Sequence, residues 1–131
     1  MPPGWCAATL AGSARRARRG ADIRVLVALE DDYRVYRETI AAVLRVLRPG
    51  AEVESTAIEA LEEELERFKP QVVICGRPES AGPSDVPAWI ELSLDPLRPG
   101  RIRVGDRRWE STNPTLDVLL GVIDEVEVAL S

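Results

Sequence analysis

The sequence predicts an α/β fold with a mainly parallel sheet, and three observations point there. Three short aliphatic runs, IRVLVAL (23–29), AEVESTA (51–57) and QVVICG (71–76), alternate with two stretches of helical periodicity. Strand, helix, strand, helix, strand within 23–76 is two βαβ units, which implies right-handed crossovers and parallel pairing. The first and third runs are apolar on both faces, as in strands covered on both sides. The 131 residues, 45% apolar and 30% charged, support one domain, read as 23–131, and its core needs no disulfide or metal.

Each element follows from local chemistry. After the first strand, a helix over about 32–48 places Tyr36, Ile40, Val43, Leu44 and Leu47 on one stripe. Asp31 or Asp32 can cap its first turn and Pro49-Gly50 stops it. The less apolar 51–57 run belongs nearer a sheet edge. Thr56 stands three residues before Glu59, the spacing of a capping box. Helix two, about 57–69, shows Ile58, Leu61, Leu65 and Phe68 at helical spacing, with glutamates on its solvated side and Pro70 at its end.

Beyond Gly76 the pattern changes. RPESAGPSDVP (77–87) is loop chemistry, and AWIELSL (88–94) alternates, with Ile90, Leu92 and Leu94 on one face and Trp89, Glu91 and Ser93 on the other. After the turn at 95–100, RIRV (101–104) and RRWES (107–111) flank Gly105-Asp106, which suits a type II′ hairpin. The chain closes with a helix over 113–130. Asn113 is its expected cap, Pro114 its first residue, and Leu116, Leu119, Leu120, Ile123 and Leu130 its buried stripe. The expected sheet is ordered 2-1-3 in its first half, in three layers, with an added antiparallel hairpin.

Charge and composition exclude several functions. Residues 1–22 carry Arg15, Arg16, Arg18 and Arg19 against Asp22, a net of +3, and read as a disordered Arg-rich leader. The remainder carries −8 of the total −5, so its folded body repels phosphate backbones and nucleic acid is not an expected partner. No apolar run approaches the ~20 residues of a membrane span. Cys6 and Cys75 show no spacing of a disulfide framework or metal site, and a cytoplasmic location is the default. The absence of histidine removes Ser-His-Asp and Cys-His catalysis. There is no G-x-G-x-x-G, Walker loop or G-x-S-x-G, and no carboxylate pair is marked as acid and base.

IRVLVALEDDYRVYRETIAAVLR followed by EVESTAIEALEEELERFKPQVVICG resembles a response-regulator receiver domain of the CheY-like, flavodoxin-like type. The shared features are an aliphatic strand running into an acidic pair, the Arg37-Glu38 element in the first helix, and Pro70-Gln71-Val72-Val73 entering strand three. The resemblance covers about 23–76. It places the magnesium-binding acids on Asp31-Asp32, or on Leu29-Glu30 without a gap, and the phosphoaccepting position on Gly76. Ser93 is a weak match for the hydroxyl residue. The family's lysine has no counterpart, since the only lysine is Lys69 in helix two, and the third helix is missing. Phosphoryl transfer needs the acceptor, the metal-holding acids and a cation together. The resemblance therefore implies a degenerate, unphosphorylatable relative: a non-catalytic regulatory or protein-interaction domain, docking on another protein or forming a homodimer.

Two sets of residues are candidates for function. Glu30, Asp31 and Asp32 lie at the carboxyl end of a central strand, where open α/β sheets bind ligands, and could hold Mg²⁺ or simply cap the helix. Arg77 reaches the same edge, to grip an anionic ligand or to pair with Glu30 or Asp31. With Asp31, Asp32 and Arg77 as polar groups, this edge supports the competing reading of a small-ligand-binding protein or enzyme. The second set, Trp89, Arg101, Arg103, Arg107, Arg108 and Trp109, makes the hairpin an interaction candidate. A pocket at the strand ends favours the ligand reading, whereas a filled edge beside an exposed Arg-Trp hairpin favours the interaction reading.

Overall fold

A computed structural model describes residues 23–77, 85–93, 97–112 and 114–130. The leader, Cys6, the 78–84 segment, Leu94 and the expected cap Asn113 lie outside the described residues. Among the described residues the architecture is α/β, with six strands and three helices. In chain order these are β1 (Arg24–Leu29), α1 (Arg34–Leu47), β2 (Glu52–Ala57), α2 (Leu61–Phe68), β3 (Val72–Cys75), β4 (Ala88–Glu91), β5 (Gly100–Val104), β6 (Arg107–Ser111) and α3 (Leu116–Leu130). The single sheet is ordered β2-β1-β3-β4-β5-β6. Its first three pairings are parallel and its last two antiparallel. No helix among the described residues is long and apolar enough to cross a membrane.

Both faces of the sheet are covered, as the doubly apolar strands require. Val25, Val27 and Leu29 join Ile40 and Leu44 of α1 and Leu119 and Ile123 of α3 in one core. Leu26 and Ala28, on the alternate face of β1, join Leu61, Leu65 and Phe68 of α2 and Trp89 of β4 in the other. β2 lies at the sheet edge, as its polar content predicts, and only Val53 of it is buried. β4 runs parallel to β3, with Val72 opposite Ala88 and Cys75 opposite Glu91. The β5–β6 turn is closed by Gly105 at φ +58°, as the first position of a type II′ turn requires.

Several local expectations are overturned. α1 begins at Arg34, after a 3₁₀ turn over Asp31–Tyr33, and no side chain caps either element. Asp31 and Asp32 are therefore not the helix cap. Asp31 instead lies 3.4 Å from Arg37 Nη1, which also donates to the Leu29 carbonyl at 2.9 Å. That bond explains why the buried stripe is Arg37, Ile40, Ala41 and Leu44: the strand-end carbonyl needs a donor, and Tyr36 and Leu47 are left exposed. The capping box at Thr56 does not form either. Thr56 remains in the β2 ladder opposite Ala28, and a 3₁₀ turn over Ile58–Ala60 leads into α2. α2 ends where Lys69 takes the left-handed conformation at φ 51° and donates its N–H to the Leu65 carbonyl. α3 starts at Leu116, beyond Pro114, with Thr115 Oγ1 accepting from the Val118 N–H at 3.4 Å. Its buried residues are Leu119, Val122, Ile123 and Val126, while Leu116 is exposed and Leu120 only partly buried.

Candidate functional site

The carboxyl ends of the parallel strands converge on a cleft of about 330 Å³. Leu29 ends β1 and is followed by Glu30, Gly76 and Arg77 follow β3, and Glu91 ends β4 and is followed by Leu92 and Ser93. Tyr33 and Ile58 enter from the two 3₁₀ turns, and Arg98-Pro99 from the approach to β5. The location follows from topology. The chain leaves β1 toward β2 on one side and returns to β3 on the other, and such a reversal parts the connecting loops above the strand ends.

Of the sequence candidates, Glu30 and Arg77 line this cleft and Asp31 and Asp32 do not. Asp31 is 73% exposed and paired with Arg37. Among the described residues no group of three His, Cys, Asp or Glu side chains could hold a metal ion, so the three adjacent carboxylates are not gathered into one. Adjacency in sequence does not bring carboxylates together when a 3₁₀ turn fans successive side chains around its axis. Arg77 pairs with neither Glu30 nor Asp31 and forms no ion pair among the described residues, which corrects the expected structural pairing.

Sequence reading missed Glu91 and Arg98 as cleft residues. Glu91 follows two fully buried residues of β4 and reaches the cleft because the strand ends there. Its Oε1 is buried without a hydrogen-bond partner among the described residues. Such an acceptor ordinarily has a donor, because leaving it unmade costs about 1–3 kcal/mol. Arg98 is exposed at the rim and forms no ion pair among the described residues. The only signal in sequence was its place in the turn that precedes β5.

Below the cleft, Trp89 holds Arg77 in place. Its indole Nε1 donates to the Arg77 carbonyl at 2.8 Å, and the Cys75 sulfur lies 3.4 Å from both the Arg77 N and O. Trp89 is 1% exposed and therefore part of the core, not an interaction residue. Arg103 is likewise removed from the interaction set. It is 7% exposed and donates Nη2 to the Val86 carbonyl at 2.7 Å. Arg101, Arg107, Arg108 and Trp109 stay at the surface, with Arg107 paired to Glu125 and its Cζ 5.3 Å from the Trp109 ring centre.

Burial pushes the Cys75 thiol up to about 12 from 9.0, aided by the negative charge of Glu91 and opposed by the Arg77 N–H and guanidinium. The neutral thiol is the form the fold favours. Its stabilisation is complete below the unfolded value near 9 and is lost as pH rises toward 12, about 4 kcal/mol over that span. Native protein should therefore leave Cys75 unalkylated by iodoacetamide at pH 8. Between pH 9 and 12 its stability should fall more steeply than that of Cys75→Ala, and parallel curves for the two would refute the assignment. Compared with known proteins, the chain matches no family model, no curated protein and no solved structure.

Proposed function

We propose that the chain is a non-catalytic binding module on a three-layer, receiver-like scaffold, and that its strand-end cleft takes up a small anionic molecule. The observation that carries this reading is the joint presence of Arg77 and Arg98, neither ion-paired among the described residues, in one cleft with the unpartnered Glu91 Oε1. Guanidinium groups suit carboxylate and phosphate oxygens, and Glu91 asks for a hydroxyl or amine donor on the same molecule. A volume of about 330 Å³ matches a metabolite-sized ligand. Gly76, where the receiver resemblance places the phosphoacceptor, supplies no carboxylate. Its backbone does not require glycine, and an added Cβ would meet only Leu29 Cδ2, at 3.9 Å. The missing side chain therefore leaves space in the cleft.

Inorganic phosphate and citrate, each compared with chloride at equal ionic strength, test the reading by thermal melting and by the Trp89 indole N–H resonance. At least one should raise the melting temperature saturably by several degrees, since occupancy at 100 times Kd adds about 2.7 kcal/mol. Arg77→Gln and Arg98→Gln should each reduce the effect, and together abolish it. No rise beyond chloride, or an equal rise in the double variant, would remove the proposal. The rival interaction reading keeps only the exposed part of the hairpin.

A further inference from the structure

β6 ends the sheet: it pairs with β5 on one side, and no strand among the described residues pairs with the other. The tight turn fixes which of its backbone groups face outward. Val104 opposite Arg107 closes a two-residue hairpin, so that pair is hydrogen-bonded and the pattern alternates along the ladder. Ile102–Trp109 is then hydrogen-bonded, while Arg103–Arg108 and Arg101–Glu110 are not. Arg108 and Glu110 thus turn their backbone N–H and C=O groups away from β5, toward the open edge.

We propose that this edge joins two copies of the chain, their β6 strands antiparallel about a two-fold axis at Trp109. In that register Arg108 faces the partner's Glu110 and Glu110 faces the partner's Arg108, and both pairs use the outward backbone groups. Moving the axis to position 108 or 110 would set arginine against arginine or glutamate against glutamate, so charge selects one register. Charged residues on an edge strand ordinarily keep other strands away. Here their order makes the edge complementary to itself. Within the hairpin Glu110 already lies 3.9 Å from the exposed Arg101, a long pair that leaves its carboxylate able to accept a second guanidinium across the axis. Trp109, 37% exposed and on the α3 side with Ile102, meets the partner's Trp109 at the axis. The sheet becomes continuous through twelve strands, with one cleft in each half.

Light scattering on the full chain should give twice 14.4 kDa at high micromolar concentration. Arg108→Glu and Glu110→Arg should each return the monomer mass, and the combined exchange should restore the dimer, with circular dichroism unchanged throughout. Trp109→Cys in a Cys6→Ser background should cross-link on mild oxidation. Non-hydrogen-bonded antiparallel pairs hold their Cα atoms about 4.5 Å apart, within the disulfide range of about 4.4–6.8 Å. A chain that stays monomeric up to millimolar concentration would overturn the proposal. So would a dimer indifferent to either charge reversal, a double exchange that fails to restore association, or no cross-link at position 109.

Discussion

Replacing Trp89 by alanine should cost about 3–5 kcal/mol, against a total stability of about 5–15 kcal/mol for a domain. The side chain fills the core beneath α2 and is fully enclosed, so its removal leaves a cavity that neighbouring strands cannot close. It also strips the Arg77 carbonyl of its 2.8 Å indole donor. Trp89→Phe separates the two effects. It retains most of the volume but not the N–H, and should cost about 1–3 kcal/mol while weakening any anion response that depends on Arg77. Urea denaturation followed by circular dichroism measures both, with equal slopes as the check that the denatured state is unchanged. A loss under about 1 kcal/mol for the alanine variant would contradict the core role of Trp89.

Two glycine-to-alanine changes should move stability in opposite directions. A Cβ at Gly100 would lie 2.3 Å from the Glu91 carbonyl oxygen and 3.4 Å from the Ser93 N, both backbone atoms. The start of β5 must then move away from β4, at a cost of about 1–3 kcal/mol or more. Glu91, Ser93 and Arg98 all line the cleft around this contact, so the variant should also lose the phosphate or citrate response. At Gly121, exposed within α3, an added Cβ meets nothing within 4 Å. Relieving a helix of glycine there should stabilise by about 0.5–1 kcal/mol. Thermal melting of the pair decides the matter. A neutral Gly100→Ala would show that β4 and β5 are not held as closely as their geometry requires.

What was legible in the sequence was what periodicity and local chemistry encode. The doubly apolar β1 and β3, the polar character of β2, the Ile58-Leu61-Leu65-Phe68 stripe and the Gly105 turn all follow from residues close in the chain. Each depends on spacing between near neighbours, which sequence displays directly. The helix starts were less legible. Asp31, Asp32 and Thr56 have cap chemistry, but 3₁₀ turns occupy the places where those caps would act.

Only the tertiary structure decided the site. Glu30, Arg77, Glu91 and Arg98 come from four separated parts of the chain, and the sheet order alone makes them neighbours. It also decided that Arg37 faces inward, because the Leu29 carbonyl at the strand end needs a donor. Trp89 and Arg103 look like surface chemistry in a charged hairpin, yet pairing of β4 between β3 and β5 encloses both. Residue type and spacing set which faces are apolar. Which polar groups are buried is set by hydrogen-bond partners that arrive from distant strands, and no local pattern carries that information.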